Sequence, residues 1–355
     1  MTSLYAYFGV LGLHAVDSPG HALYQVGLLQ SIKESFNEEK FDFYSFYSLE
    51  ELAQAGTTIR YPNSDLGKVF EKYCDSLMAE YCIELERVME KIDRKEYSKI
   101  YLKARFRNLS ALEKKRTDAY DFERMLQAAV AAGYSKEEIV ILDTDLSLSE
   151  SFCSNWDEHA TFLIPSIHFP GISSKFLKEC IATIDWEKKT AAYVFYGNID
   201  TANYKKGNEK SPILNESLKW TIDFLQEKPS KLIVICKKKD FFSLETVVEH
   251  IDRSDREKIW EGLQKSTVML NVTKEKYNAV RFIPARIYEA LIFGMIPVSY
   301  GYSFLNKAFS FNSIFEFSEI IKYLDECSMD DLKKAFDYSI KAYFSHVEET
   351  FKIRH

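Results

Sequence analysis

An arginine and a glutamate stand three residues apart in an otherwise apolar segment late in the chain. The segment is PARIYEALIFGMIPVSYG, and it contains Pro284, Arg286 and Glu289. Proline suits the first position of a helix, and residues at i and i+3 share one helix face. The free N–H groups of a first helical turn attract anions, and arginine can bind phosphate through two parallel hydrogen bonds. A diphosphate for Arg286 and a ribose diol for Glu289 would describe a nucleotide sugar; a structural ion pair is the alternative.

A polar loop with lysines follows the segment AAYVFYG, which is typical of a strand. The loop after a strand lies at its carboxyl end, where parallel α/β sheets bind ligands. This loop offers four candidates for donor binding: Gly197, Asn198, Lys205 and Lys206. Exposed lysines that only increase solubility are an equally good interpretation of the same pattern. Tyr277 lies in a second polar loop, ahead of Pro284, and is a further candidate.

Two aspartates, Asp143 and Asp145, close the apolar segment EEIVILDTDL. A D-x-D pair after such a strand could hold a divalent metal on a nucleotide sugar. Alternatively, one carboxylate could serve as a general base that takes the proton of an attacking hydroxyl. Capping of the next segment by aspartate is the structural interpretation. The metal interpretation is the weaker functional one, because the second half of the chain already provides a nucleotide site without it.

Residues 99–116 form a basic stretch in an acidic protein. Seven Lys or Arg against one acid give +6 there, whereas the whole chain carries −7. Basic residues with aromatic residues between them are typical of a surface that binds a phosphate backbone, although an ordinary charged loop has the same composition. The candidates for DNA contacts are Lys103, Arg105, Arg107, Lys114, Lys115 and Arg116.

Segments typical of strands and helices alternate along the whole chain, which predicts α/β domains with parallel sheets. A stretch with two prolines and no clear periodicity, residues 164–189, separates two such series. We therefore expect two Rossmann-like domains, 1–172 and 173–355, that face a central cleft, with a helix at the C-terminus. Gly20 and His21 stand at the start of the first predicted helix, where they would face this cleft.

The composition is that of an ordinary globular protein. The chain has 355 residues, of which 46% are hydrophobic and 28% charged. Six dispersed cysteines without a CxxC pair favour a reduced, cytoplasmic setting. The apolar stretches are too short or too polar to span a bilayer. The negative net charge excludes a general attraction to DNA or to an anionic membrane, so any contact with nucleic acid must be local.

Several of these segments resemble those of the T-even-type bacteriophage DNA β-glucosyltransferases. The stretch YNAVRFIPARIYEAL is similar to the donor-binding stretch of that family, in which F-I-x-x-R-x-aromatic-E supplies an arginine and a glutamate. The matching positions here are Phe282, Ile283, Arg286, Tyr288 and Glu289. The segment YVFYGNID resembles the strand and glycine turn that open the nucleotide domain. EEIVILDTDLSLSES is similar to the strand ending in Thr-Asp, whose aspartate is the base; that role falls on Asp145.

The resemblance implies a GT-B fold and transfer of a sugar from a UDP-sugar to 5-hydroxymethylcytosine in phage DNA. Asp145 would deprotonate the hydroxymethyl group of a flipped base, and Arg286 would stabilise the departing diphosphate, with inversion at C1. The UDP-sugar is a co-substrate; no metal is required, and Mg²⁺ or Mn²⁺ would at most assist departure of UDP. The partner would be hydroxymethylated duplex DNA, and the protein a monomer in the cytoplasm of the infected host, with no membrane contact.

Two departures from the family leave the transferred sugar open. Arginines that bind phosphate in the family are replaced by Asp200 and Thr201, followed by Lys205 and Lys206. The acidic residue that contacts the sugar falls here at Gly20 or His21, which leaves glucose, another hexose or a pentose such as arabinose. Two alternative functions also remain: a GT-B glycosyltransferase acting on a glycan or a small molecule, and a non-catalytic protein that binds nucleotide or DNA.

Overall fold

The structure is a computed structural model in which two groups of strands and helices are defined. It describes residues 2–7, 31, 40–45, 63–81, 83–104, 117–143, 148, 150–163, 172–190, 192–196, 232–236, 249–252, 255–272, 283–300 and 317–352. Contacts between Cα atoms divide the chain into two units. The first comprises Met1–Tyr61 and Lys68–Ser173, and the second comprises Pro62–Gly67 and Ser174–His355.

The first unit is built on a five-stranded sheet with the order β2-β1-β3-β4-β5, in which every pair is parallel. Its strands are β1 (Thr2–Tyr7), β2 (Lys40–Ser45), β3 (Tyr97–Ala104), β4 (Ile139–Asp143) and β5 (Thr161–Leu163). The helices described in this part of the chain are α1 (Asp65–Tyr81), α2 (Leu85–Asp93), α3 (Thr117–Ala131) and α4 (Glu150–Trp156). Parallel neighbours require crossover connections, and these helices lie within them.

Both faces of this sheet are apolar, as expected for a parallel sheet covered on both sides. One face packs against α2 and α3 in a core that includes Ile92, Leu102, Phe122, Leu126 and Ile141. The opposite face carries aromatic side chains: Tyr5 stacks on Phe43 at 5.7 Å between ring centroids, and Phe41 contacts Tyr101 at 6.1 Å. Because side chains alternate along a strand, Lys103 belongs to this aromatic face together with Tyr101.

The second unit contains another parallel five-stranded sheet, with the order β10-β9-β6-β7-β8. Its strands are β6 (Tyr193–Tyr196), β7 (Leu232–Cys236), β8 (Glu249–Asp252), β9 (Val268–Val272) and β10 (Ile296–Tyr300). Its helices are α5 (Ser174–Ile181), a short 3₁₀ helix (Trp186–Lys188), α6 (Arg256–Lys265), α7 (Ala285–Ile292), α8 (Phe317–Glu326) and α9 (Met329–Lys352). The α/β class, the two parallel sheets and the C-terminal helix are thus confirmed.

Polar side chains mark the starts of two of these helices. Asp255 precedes α6, and its Oδ1 accepts a hydrogen bond from Lys258 N at 3.2 Å. Ser328 precedes α9: its Oγ accepts from Asp331 N at 3.2 Å and donates to the Asp331 carboxylate at 2.7 Å. Each cap satisfies an N–H group that has no partner within its helix. The first predicted helix, which starts at Gly20 and His21, lies outside the described residues apart from the helical Ser31.

Two further findings concern the sequence-based expectations on compartment and membrane. Four cysteines that the structure describes, Cys153, Cys180, Cys236 and Cys327, are free thiols. Burial raises the pKa of the Cys180 thiol above its ordinary value, so this group is a neutral member of the core. No helix within the described ranges is both long enough and apolar enough to cross a bilayer.

Candidate functional site

The helix that carries the predicted donor residues starts one residue later than its sequence suggests. Pro284, expected as the first helical residue, has an extended conformation (φ −69°, ψ 151°) and flanks α7 as its N-cap. Its carbonyl accepts a hydrogen bond from Ile287 N at 3.0 Å, which closes the first turn. Proline offers no side-chain acceptor, and the N-terminal turn of α7 has no side-chain cap. The turn is therefore suited to an anion as its hydrogen-bond partner.

Arg286 contacts the end of the strand that opens the second series of elements. Its guanidinium carbon lies 5.6 Å from the centroid of the Tyr196 ring, within the range of a cation–π contact. Tyr196 is the last residue of β6 and is 1% exposed. The start of α7 and the carboxyl end of β6 are thus adjacent. Two segments predicted separately to bind the donor are brought together at the edge of the sheet where such folds bind ligands.

Glu289 lies on α7 among apolar residues and is almost completely buried. It is 1% exposed, as are its neighbours Ile287 and Tyr288. An ionised carboxylate cannot be held in such a position without charged or hydrogen-bonding partners, because its desolvation is costly. This burial excludes the interpretation of Arg286 and Glu289 as a solvated surface pair. A role of Glu289 in binding the hydroxyl groups of a ligand stays a prediction, since almost none of its side chain is exposed.

The C-terminal end of α7 is fixed by a Schellman motif that contains a glycine. Met295 N donates to Ala290 O at 2.8 Å, and Gly294 N donates to Leu291 O at 3.2 Å. Gly294 has a φ of 70°, and a Cβ added there would lie 2.8 Å from Ile184 Cγ2. Only glycine fits this left-handed and closely packed position. Helix α7 therefore has a defined end, and β10 follows at once.

The structure describes Asp143 but not Asp145. Asp143 ends β4, and its Oδ2 accepts a hydrogen bond from Leu148 N at 3.2 Å. This bond agrees with the capping interpretation for Asp143. Asp145 lies outside the described residues, between the two partners of the bond in sequence, so its role as the base stays a prediction. Within the described ranges, no group of three or more His, Cys, Asp or Glu could hold a metal ion.

The structure differs from the sequence-based expectation at Lys103. This residue was predicted to contact DNA phosphates, but it lies near the end of β3 and is 1% exposed. The reason is that β3 is a central strand, paired with β1 on one side and β4 on the other, and both faces of the sheet are covered. A side chain so buried is not available to a phosphate backbone at the surface. Lys103 is therefore removed from the predicted DNA-binding residues of the basic stretch.

The remaining predicted site residues lie outside the part of the chain that the structure describes. For donor binding these are Gly20, His21, Gly197, Asn198, Lys205, Lys206 and Tyr277. For DNA binding they are Arg105, Arg107, Lys114, Lys115 and Arg116. Their roles stay predictions.

Sequence reasoning missed a buried polar pair at the carboxyl ends of two adjacent strands. Asn271 Nδ2 donates to Ser299 Oγ at 3.1 Å, and the two residues are 3% and 1% exposed. They are register partners in β9 and β10. The available signal was a polar residue at the fourth position of both apolar segments, VMLNV and IPVSY. This pair lies at the ligand-binding edge of the sheet, one residue before each strand ends.

Comparison with known proteins agrees with this architecture. No protein-family model matches the sequence, and no curated protein matches it significantly. Among solved structures, the chain matches the DNA-modifying enzyme β-glucosyltransferase, studied with and without its substrate uridine diphosphoglucose. The TM-score is 0.56 at 12% identity, over 99% of this chain and 96% of that one. The chain therefore shares the fold of a GT-B glucosyltransferase, which confirms the resemblance at the level of fold.

A second solved structure is similar to a lower degree. It is an α-glucosyltransferase in complex with UDP-glucose and DNA containing an abasic site. Here the TM-score is 0.45 at 9% identity, over 99% of this chain and 92% of that one. Similarity at this level does not define a common fold.

Proposed function

We propose that the protein is a glycosyltransferase that moves a sugar from a UDP-sugar to DNA. The observation that carries this proposal is the contact of Arg286 with Tyr196, with Glu289 buried on the same short helix. An arginine at an uncapped helix start and a carboxylate on the same helix are the groups that a nucleoside diphosphate requires. The similarity in fold to a DNA-modifying β-glucosyltransferase supports the choice of this ligand and of DNA as the acceptor.

In this proposal the donor is bound mainly by α7. Arg286 pairs with the diphosphate, and the N–H groups of the first turn add to the positive potential. Glu289 accepts hydrogen bonds from the ribose hydroxyls. Negative charge grows on the diphosphate as the sugar leaves, so a preorganised arginine stabilises the transition state more than the ground state. The donor site would be completed by Gly197, Asn198, Lys205, Lys206 and Tyr277.

The proposed acceptor is the hydroxymethyl group of 5-hydroxymethylcytosine. An enzyme that acts on a base needs that base outside the stack, so the modified cytosine would be flipped. Asp145 takes the hydroxyl proton while the oxygen attacks C1 of the sugar, and the bond from C1 to the UDP oxygen breaks. A single displacement inverts the configuration at C1. Asp143 is engaged by the N–H of Leu148, which supports Asp145 as the base of the two.

The transferred sugar is glucose or another sugar such as arabinose, and positions 20 and 21 are expected to select it. Gly20 and His21 stand where the related family has an acidic residue that contacts the sugar. Loss of that carboxylate removes an acceptor for sugar hydroxyls. A panel of UDP-sugars is therefore needed to identify the natural donor.

The proposal is tested by incubating the protein with matched DNA duplexes that contain either cytosine or 5-hydroxymethylcytosine, each with UDP-glucose or a UDP-pentose. Digestion and mass spectrometry of the nucleosides should reveal a sugar on the hydroxymethylated base alone. The Arg286→Ala variant is the matched control and should be nearly inactive. Release of UDP without modified DNA would favour a glycan or small-molecule acceptor. Binding of DNA or UDP without any turnover would favour a non-catalytic protein.

A further inference from the structure

A buried lysine joins the ends of two helices in the second unit. Lys189 is 7% exposed, and its Nζ donates to Ser266 O at 2.7 Å and also to Phe293 O. Ser266 is the C-cap residue of α6, and Phe293 is the C-cap residue of α7. One ammonium group therefore bonds the last carbonyls of both helices.

This arrangement is electrostatically suited to a cation. The last carbonyls of a helix have no N–H partner within it, and they form the negative end of its dipole. An ammonium group there supplies donors and positive charge to two helix ends at once. Removing a lysine from such a site would leave a cavity and take a donor from each carbonyl. Burying it is costly, so its position requires these hydrogen bonds.

Neighbouring interactions make the junction rigid. Thr190 N donates to Lys265 O at 2.7 Å, and Thr267 Oγ1 donates to Thr190 O at 3.1 Å. Trp260 of α6 contacts Phe293 edge to face, with 5.0 Å between the two ring centroids. The segment around the lysine is thus tied to the end of α6 and the start of β9. The end of α7 is tied to α6 by the aromatic pair as well as by the ammonium.

The lysine contacts one end of α7 and Arg286 lies at the other, with Glu289 in the middle of the helix. The helix contains eight residues, with Arg286 in its first turn and Phe293 immediately after its last residue. At about 1.5 Å rise per residue, these two positions are separated by roughly 10 Å along the axis. A helix this short moves as a rigid body, so a displacement of its C-terminal end also moves Arg286 and Glu289.

We propose that Lys189 is a positioning residue for the donor site. It anchors the C-terminal end of α7 to α6 and thereby fixes Arg286 at the other end of the helix and Glu289 in its middle. The inference rests on the proposed function, since it assumes that α7 holds the diphosphate and the ribose. Lys189 acts through the helix and does not contact the ligand.

The test compares Lys189→Met, which removes the ammonium, with Lys189→Arg, which keeps a charge and donors. UDP affinity is measured by calorimetry on each folded protein, at a pH below about 7, where Lys189 is charged. Misplacement of binding groups by about 1 Å is costly, so Lys189→Met should bind UDP about tenfold more weakly or worse. Lys189→Arg should recover most of that loss. If Lys189→Met does not fold, Lys189→Gln is used, which keeps a donor without the charge, and the same direction is expected.

Tyr193→Phe is the matched control for a merely structural effect. It removes a hydrogen bond of 2.7 Å from Tyr193 Oη to Asp325 in the same unit, which involves neither α7 nor α6. This variant should lose stability and keep its UDP affinity. Unchanged UDP affinity in Lys189→Met, or an equal loss in Tyr193→Phe, would overturn the inference while the wild-type protein still binds UDP. Failure of the wild-type protein to bind UDP would instead overturn the proposed function, and the inference with it.

Discussion

The guanidinium of Arg286 rests on the ring of Tyr196, with 5.6 Å between the guanidinium carbon and the ring centroid. Contact with an aromatic face holds the planar group in a defined orientation, whereas an ammonium group has no plane to orient. Defined orientation matters for a diphosphate, because its oxygens are matched by the fork of N–H groups. In the proposed donor site, this pair gives a reason for an arginine, and not a lysine, at the start of α7.

Replacing Arg286 by alanine should weaken UDP binding by about 1.5–3 kcal/mol, the usual range for hydrogen bonds to a charged group. Lysine at this position should restore only part of the loss, since it lacks the planar fork. Calorimetry with UDP measures both effects. Lys334→Ala is a suitable control, because that exposed lysine pairs with Asp331 at 3.1 Å on α9. Wild-type UDP affinity in Arg286→Ala would contradict the donor site.

Replacing Asp145 by asparagine should slow sugar transfer by about 10²–10⁴-fold and leave UDP affinity unchanged. Asparagine keeps the shape and can accept a hydrogen bond, but it cannot take the proton. Single-turnover kinetics on hydroxymethylated duplex measures the chemical step.

Asp143→Asn is the internal control for this experiment. Its amide oxygen can still accept the N–H of Leu148, so the variant should be only mildly impaired. A metal site built from both aspartates would behave differently. Equal losses of the transfer rate in the two variants, restored by excess Mn²⁺, would indicate a metal site and not a general base.

Affinity for duplex DNA should fall steeply with salt, because a protein that neutralises phosphates releases their bound counterions. The double variant Arg105→Ala and Arg107→Ala should flatten the plot of log affinity against log salt by about 0.9 for each phosphate that is no longer neutralised. Lys103→Met serves as the comparison, since Lys103 is 1% exposed and should change stability but not the slope. An unchanged slope in the double variant would show that the DNA-binding surface lies elsewhere.

Folding stability should depend on pH through Lys189. Burial lowers the pKa of this lysine from 10.5 to about 7 in the folded protein. Between these values the unfolded chain binds more protons than the folded chain, so the free energy of unfolding should rise with pH. The slope is at most about 1.4 kcal/mol per pH unit. Below about pH 7 the lysine is charged in both states, and its buried charge carries the full desolvation penalty.

The measurement is urea unfolding of the wild-type protein and of Lys189→Met between about pH 7 and pH 9. Burial raises the pKa of the Cys180 thiol and of the Tyr97 and Tyr193 phenols, which lowers stability at higher pH in both proteins. The difference between the two proteins isolates the lysine. Identical slopes would show that Lys189 does not titrate in this range.

Two glycines offer a matched test of packing at helix ends. Gly294 and Gly133 both have positive φ, 70° and 81°, and both end helices. An added Cβ would meet Ile184 at 2.8 Å in the first case and nothing within 4 Å in the second. Gly133→Ala should therefore cost only the backbone strain, about 1 kcal/mol. Gly294→Ala should cost a further ~1–3 kcal/mol, measured by urea unfolding, and equal losses would contradict this packing.

The sequence predicts the central strands well, and the edge strand β10 too, but it does not predict the edge strands β8 and β2. Apolar runs such as LIVIC and IVILD have one clear structural interpretation when they are short and bounded by polar loops. At one edge of the second sheet, β8 has the sequence EHID, a segment with only one β-branched residue, and it becomes a strand through pairing with β7. In the first sheet, β2 at the edge was likewise not predicted from KFDFYS. Pairing with a neighbour, and not local preference, makes these two segments strands.

The residues of the candidate site likewise differ in whether local sequence could predict them. Arg286 and the end of β6 were predicted from residue types, because phosphate chemistry has a recognisable composition and position. The burial of Lys103 was not, since it depends on which strands flank β3 and what covers the sheet. Lys189 lies in a stretch without periodicity, and its two acceptors are backbone carbonyls 77 and 104 residues away. Hydrogen bonds to distant parts of the backbone leave no pattern in the local sequence.

The exclusively parallel pairing in both described sheets also determines how slowly the chain must fold. A parallel pair cannot form from a tight hairpin, so each neighbour has to arrive through a crossover. The bond between Ser3 and Ser98 joins β1 to β3 across 95 residues of chain. Closing such loops costs entropy before any pairing energy is gained, and high contact order slows folding. During synthesis, the edge of β1 that pairs with β3 therefore stays unpaired until β3 has been made. In that interval the nascent chain is prone to aggregation.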